Sequence, residues 1–170
     1  MKSSISMKRD ILFFIKPLSV LPALFMLSVI FGFSAQTGET SGNLSYNISY
    51  QIVETCDKLF HLEMNETELD SHARAVEVPL RKTAHMAEYF VLTLTILFPL
   101  YVYGRRGASL FVTAALLGVG FACSDEFHQY FVSERSASIV DVGIDGIGVV
   151  GATIAARVGG CLNHRPKRQD

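Results

Sequence analysis

At 170 residues the chain has the length of one domain. Apolar residues make up 49% of it, with no Trp, and mean hydropathy is +0.31; they gather in blocks about as long as a bilayer span, which argues against a soluble globule. The formal net charge of -1 gives no sign of a nucleic-acid partner, and the three cysteines, at 56, 123 and 161, lack the spacing of a metal site or disulfide framework.

The first expected span runs over about 11–33. Lys2, Lys8 and Arg9 before it imitate a signal peptide, but the run exceeds the roughly 7–15 apolar residues of a secretory signal and reads as an uncleaved span. Pro17 and Pro22 lie in its first half. They either kink it or move its start to near Pro17, leaving residues 7–16 as an interfacial turn.

Residues 34–82 form a polar segment that opens with turn and cap formers, SAQTGETSGN. Leu44, Ile48, Ile52, Cys56, Leu59 and Phe60 then recur at helical spacing as one apolar stripe. Asn65 and Glu68 outline a capping box, and Leu69, Ala73, Val76 and Leu80 make a second, shorter stripe. Two amphipathic helices are predicted here, lying on the membrane or over the bundle.

The second span is expected over 83–103, the third over 110–128 and the fourth over 139–158. Cys123 is expected to pack within the third, and Cys161 to follow the fourth. Gly143, Gly146, Gly148 and Gly151 run through the fourth, where small residues let helix backbones approach. The predicted fold class is therefore an all-α membrane protein, a single domain over 1–170. It has four transmembrane helices, with amphipathic helices in an outer segment, 34–82, between spans one and two.

Lys and Arg near span ends set orientation. Lys2, Lys8 and Arg9, then Arg105 and Arg106, then Arg157, Arg165, Lys167 and Arg168 all fall on one side of a four-span chain. Both termini are thus expected in the cytoplasm, with 34–82 and 124–145 facing outward. Arg81, Lys82 and Arg135 are basic groups on the disfavoured side, close to span ends, which suggests a local purpose.

Ionisable residues occupy three helix faces near that side. On the second span Arg81, His85 and Glu88 share a face, with Lys82 one step round. On the third, Asp125 pairs with His128, and Glu126 with Gln129; on the fourth, Asp141 and Asp145 are one turn apart. Such groups within spans usually face a bundle interior or an aqueous cavity and form a functional-site hypothesis. Three readings stay open. One is an ion-pair network that fixes helix register. The second is a pocket for a polar or anionic headgroup, with Arg81, Lys82 and Arg135 as phosphate or carboxylate contacts. The third is a metal or acid/base site using His85, Glu88, Asp125 and His128. No HExxH or comparable signature is present. Ser34 and Gln36, at the outer end of span one, read as ordinary end-caps.

The pieces FSAQTGETS, RKTAHMAEYFVL and SDEFHQYFVSERSASIVDVGIDGIG, in this order and at these separations, resemble the VanZ-like membrane proteins, a family named after an accessory protein of glycopeptide resistance clusters. The resemblance covers most of the chain outside the tails and residues 44–78. It implies a small multi-span protein of the bacterial plasma membrane and, for the founding member, reduced susceptibility to teicoplanin. The family often has Pro-Gly before the arginine that corresponds to Arg135; here Ser133-Glu134 stands there, which bears on the shape of that loop. The leading expectation is a cell-envelope ligand, such as a lipid-linked cell-wall precursor or a glycopeptide, on the outward cluster. The alternatives are a membrane-embedded metal-dependent or acid/base enzyme and a non-catalytic partner-binding protein. The residues name no cofactor.

Overall fold

The structure, a computed structural model, describes residues 16–163. The basic tails, residues 11–15 of the first expected span, most of the 7–16 turn, His164 and the Cys161 side chain lie outside the described residues. Those described form five helices and no strand: α1 (Leu21–Ser34), α2 (Gly38–Phe60), α3 (Glu66–Val102), α4 (Gly107–Gln129) and α5 (Ile139–Asn163).

A helical stretch at 16–18 and a turn at 19–20 precede α1. Pro22 falls in the first turn of α1, where its missing N–H would have had no helical partner. Pro22 therefore starts α1 without breaking its ladder. Thr37 caps α2 by accepting from the Thr40 N–H, and α2 stops at His61, which takes a left-handed conformation with φ 52°.

The next element corrects the expected outer segment. The stripe over 69–80 is not a separate helix; it is the first half of α3, which continues through the second span for 37 residues, or about 55 Å. Asn65 and Glu68 form the capping box at its start. No Gly or turn cluster interrupts it. Pro79 removes one rung of the ladder, and the Thr83 hydroxyl bonds the Pro79 carbonyl at 2.8 Å; Leu80, Arg81 and Lys82, all good helix formers, carry the helix onward.

α2 folds back on the first half of α3, and the two form a hairpin standing on one end of the bundle. Its packed face is not the apolar stripe. Ser45, Ser49 and Val53 are buried, opposite Leu69 and Ala73, whereas Leu44, Ile48, Ile52, Leu59 and Phe60 remain exposed. Small side chains let the helices approach, and polar pairs fasten the edges of the contact. Tyr46 donates to Asp70 at 2.6 Å, and Tyr50 donates to Glu66 at 2.9 Å.

Four helical segments are long and apolar enough to cross a membrane: Lys16–Ser34, Glu66–Val102, Gly107–Gln129 and Ile139–Gly160. α3 is the hub, in contact with every other helix, and most extensively with α5. The core holds Ile30, Tyr89, Leu92, Ile96, Leu110, Ala114 and Val149. Around it Phe25, Phe98, Leu116, Ile147 and Ile154 point outward and exposed, an apolar girdle that water would disfavour and lipid would accept. Cys123 is on α4 but exposed on its surface, not packed inside.

Of the four glycines noted in the fourth span, only Gly148 marks a close approach. A Cβ there would run into the Met86 carbonyl and the Phe90 amide of α3, whereas Gly143 and Gly146 face open space. This contact brings the start of α5 against the His85–Glu88 turn of α3.

Candidate functional site

Where the hairpin joins the bundle, a cleft of ≈ 170 Å³ opens. Its walls come from the start of α2 (Gly38), one face of α3 (Arg81, Lys82, His85), the end of α4 (Glu126, Gln129), the α4–α5 loop (Glu134, Arg135, Ser136) and the first turns of α5 (Asp141, Ile144, Asp145). Three helix faces, on α3, α4 and α5, therefore meet in one place. Eight of the eleven expected site residues line it.

The other three do not. Asp125 is fully buried behind Gln129, which donates to its Oδ2 at 3.1 Å. Glu88 sits a turn below His85; His85 Nδ1 and Glu88 Oε2 are 3.5 Å apart, close but without hydrogen-bond geometry, and that oxygen has no partner. His128 turns away and packs against the Phe31 ring at 5.9 Å between centroids. The four metal candidates thus do not converge, and among the described residues no three His, Cys, Asp or Glu side chains are grouped to hold a metal ion.

The cations differ in how they are held. Arg135 is committed to the fold. Its Nε donates to the Gln36 carbonyl at 2.9 Å, Nη1 to Gln129 Oε1 at 3.0 Å and Nη2 to the Phe33 carbonyl at 3.1 Å. Two of these acceptors lie at or just past the end of α1, so Arg135 fastens that end to the α4–α5 loop. Burial, and then the like charge of Arg81, pulls the Arg135 guanidinium below its ordinary pKa, although an arginine stays charged at neutral pH. Lys82 is paired with Asp141 at 2.7 Å. Arg81 lines the cleft, and among the described residues no side-chain hydrogen bond or ion pair engages its guanidinium.

The anions are less well matched. Glu126 Oε2 accepts from the Ser138 N–H at 2.8 Å, which steadies the entry to α5. Asp125 Oδ2 accepts from Ser34 at 2.8 Å, but its Oδ1 has no partner. Asp145 is 2% exposed, lines the cleft, and has an unpartnered Oδ1.

Ser34 is the residue that sequence reasoning undervalued. It is fully buried and bonds Asp125, with Gln129 donating to its hydroxyl at 3.3 Å, so it belongs to the polar cluster and is no plain end-cap. Its position beside Gln36 in the FSAQTGETS stretch was the available signal. Gly38, Glu134, Ser136 and Ile144 were also missed. Gly38 abuts the Glu134 backbone so closely that no Cβ would fit, and its N–H donates to the Ser133 carbonyl at 3.1 Å. The loop that carries Ser133-Glu134 is thereby tied to the hairpin, with Glu134 itself at a left-handed φ of 60°.

The family model described as VanZ/LLP1 matches residues 19–159. The chain belongs to this VanZ-like family. The match takes in every helix that lines the cleft and, with the four apolar helices, identifies a multi-pass membrane protein. No curated protein and no solved structure matches the chain. What the VanZ-like cleft can do therefore rests on its own chemistry. It offers a free guanidinium at the rim, a braced loop and a floor of carboxylates.

Proposed function

We propose that this VanZ-like protein binds a cell-envelope molecule through an anionic group, phosphate or carboxylate, held in the cleft by Arg81. The observation that carries this reading is the division of labour among the cations. Arg135 and Lys82 are engaged by the protein, and Arg81 lines the cleft with no side-chain bond to its guanidinium among the described residues. A guanidinium of this kind suits bidentate anion recognition. Arg135 then acts as a positioning residue, and Lys82 shares its charge with Asp141.

The reading takes the hairpin and bundle as one unit, with the cleft outside the plasma membrane and both termini in the cytoplasm. Support for this orientation comes from Arg105, Arg106 and Arg157 at the end of the bundle away from the cleft. Cys56, exposed on the hairpin, offers a native reporter. In a chain with Cys123 and Cys161 replaced by Ser, an impermeant maleimide is expected to label Cys56 in intact cells. Labelling only after lysis would reverse the topology.

The binding test uses ethyl phosphate with the protein in nanodiscs. Saturable binding is expected, weakened about tenfold or more in Arg81→Gln, the scale of a lost charge-assisted hydrogen bond, at unchanged protein level. Wild-type affinity in Arg81→Gln would end this reading. A link to glycopeptide resistance rests on the family alone. Its test is teicoplanin susceptibility of a sensitive strain expressing the chain, with and without Arg81→Gln.

A further inference from the structure

The floor of the cleft says more than its rim. Glu88, Asp125, Glu126, Asp141 and Asp145 gather near the cleft, against Arg81, Lys82 and Arg135. The anions are in excess even before the exposed Glu134 is counted. Burying a carboxylate without a donor or counter-charge is costly. Internal bonds account for part of the excess. Lys82 neutralises Asp141, Ser138 serves Glu126, and Ser34 and Gln129 serve one oxygen of Asp125. Asp145 is left with an unpartnered oxygen, is nearly fully buried, and still forms part of the cleft wall.

Position matters as much as charge. Arg81 and the Lys82–Asp141 pair stand at the upper end of the α3 and α5 faces. Asp145 is one helical turn beyond Asp141, about 6 Å deeper along α5, and the Gly148 contact with Met86 fixes it at the depth of His85. The cleft is thus bipolar, with a cation above and an acceptor about one helical turn below. Its ≈ 170 Å³ is well below the about 300–1,000 Å³ of pockets for drug-sized ligands. It therefore takes a headgroup or a chain terminus and not a whole lipid or glycopeptide.

We infer that the ligand is zwitterionic, with its phosphate or carboxylate on Arg81 at the rim and an ammonium group on Asp145 at the floor. This rests on the anion-binding reading above and adds the second charge. The chemistry is shared by an amino-phosphate lipid headgroup and by a free amino-phosphate in solution.

Three probes separate the parts: ethanolamine phosphate, ethyl phosphate, which lacks the amine, and ethanolamine, which lacks the phosphate. Each is titrated onto the full-length protein in phosphatidylglycerol nanodiscs. Ethanolamine phosphate is expected to bind at least tenfold tighter than ethyl phosphate. Asp145→Asn, nearly isosteric, is expected to erase that preference and keep the ethyl phosphate affinity. Equal affinities for the two phosphates in the wild-type protein would overturn the zwitterion and leave anion binding standing. Absence of binding by all three probes would overturn both. Repeating the titration in phosphatidylethanolamine nanodiscs identifies the source. A headgroup ligand supplied by the bilayer raises the apparent Kd of soluble ethanolamine phosphate, and a soluble ligand leaves it unchanged; either result retains the two-charge site.

Discussion

The hairpin and the cleft beneath it handle polar groups in opposite ways. On the hairpin, ionisable side chains are exposed and matched: Lys58 with Glu54 at 2.7 Å, Arg74 with Asp70 at 3.0 Å, Tyr46 with Asp70 and Tyr50 with Glu66. Below it they are buried and mismatched, with single oxygens of Glu88, Asp125 and Asp145 left without donors. Exposed pairs are cheap to form and contribute little. Buried, unmatched carboxylates oppose folding, and a chain that keeps them points to a use beyond stability. The difference supports the proposal that the cleft is the binding site, with the hairpin as its scaffold.

Glycines break this comparison most sharply. Gly148→Val would drive a side chain into the α3 backbone. It is expected to cost about 3 kcal/mol or more and to abolish a monodisperse peak in size-exclusion chromatography. Gly42→Ala on the hairpin meets only the Glu77 carboxylate at 3.7 Å, an ordinary contact, and should leave the elution profile unchanged. Next in size is Arg135→Lys, which keeps the charge but cannot reach the Gln36, Gln129 and Phe33 acceptors together. A loss of about 2–3 kcal/mol is expected, read as a lower Tm.

Two Asp→Asn changes should move stability in opposite directions. Asp145→Asn removes a buried charge with an orphan oxygen, so Tm is expected to rise even as ligand discrimination falls. Asp70→Asn weakens an acceptor already shared by Tyr46 and Arg74, so Tm should fall slightly. Two Tm shifts of the same sign would erase the contrast.

The smallest effect is a titration. The hydrogen bond to Asp70 raises the Tyr46 pKa above its ordinary value, and the bond to Glu66 does the same for Tyr50. The neutral phenol is the form that donates. This contribution to the hairpin is therefore present below about pH 10, the ordinary tyrosine range, and is lost as pH rises through the elevated folded values. Ultraviolet titration should show Tyr46 and Tyr50 ionising above the ordinary tyrosine range, and Asp70→Asn should bring Tyr46 back toward that range.

Much of this was legible in the sequence. Apolar run length gave four spans, and helical spacing put Arg81 with His85, and Asp141 with Asp145, on common faces. What escaped depended on contacts between distant elements. The Leu44–Ile48–Ile52 stripe left open whether α2 lies on the membrane or over the bundle, and the packed side is instead Ser45 and Ser49, because close approach favours small side chains over large ones. Arg135 looked like a ligand contact, and only the position of the α1 carbonyls shows that its donors are taken. Ser34 looked like a cap; its place in the FSAQTGETS stretch hinted at more, but its partner Asp125 is 91 residues on.

Pro79 has a mechanical consequence. Lacking an N–H, it leaves the Ala75 carbonyl without its usual rung. Of the two prolines inside α3, Pro79 and Pro99, it is the one at the level of the cleft, where the helix bends most easily. That articulation point is two residues before Arg81. The hairpin's other leg is moored at Gly38 to the Ser133–Glu134 backbone. Swinging the hairpin thus requires both the joint to flex and the mooring to slip, and each borders the cleft. The tilt of the hairpin and the width of the cleft mouth are, in this architecture, one coordinate.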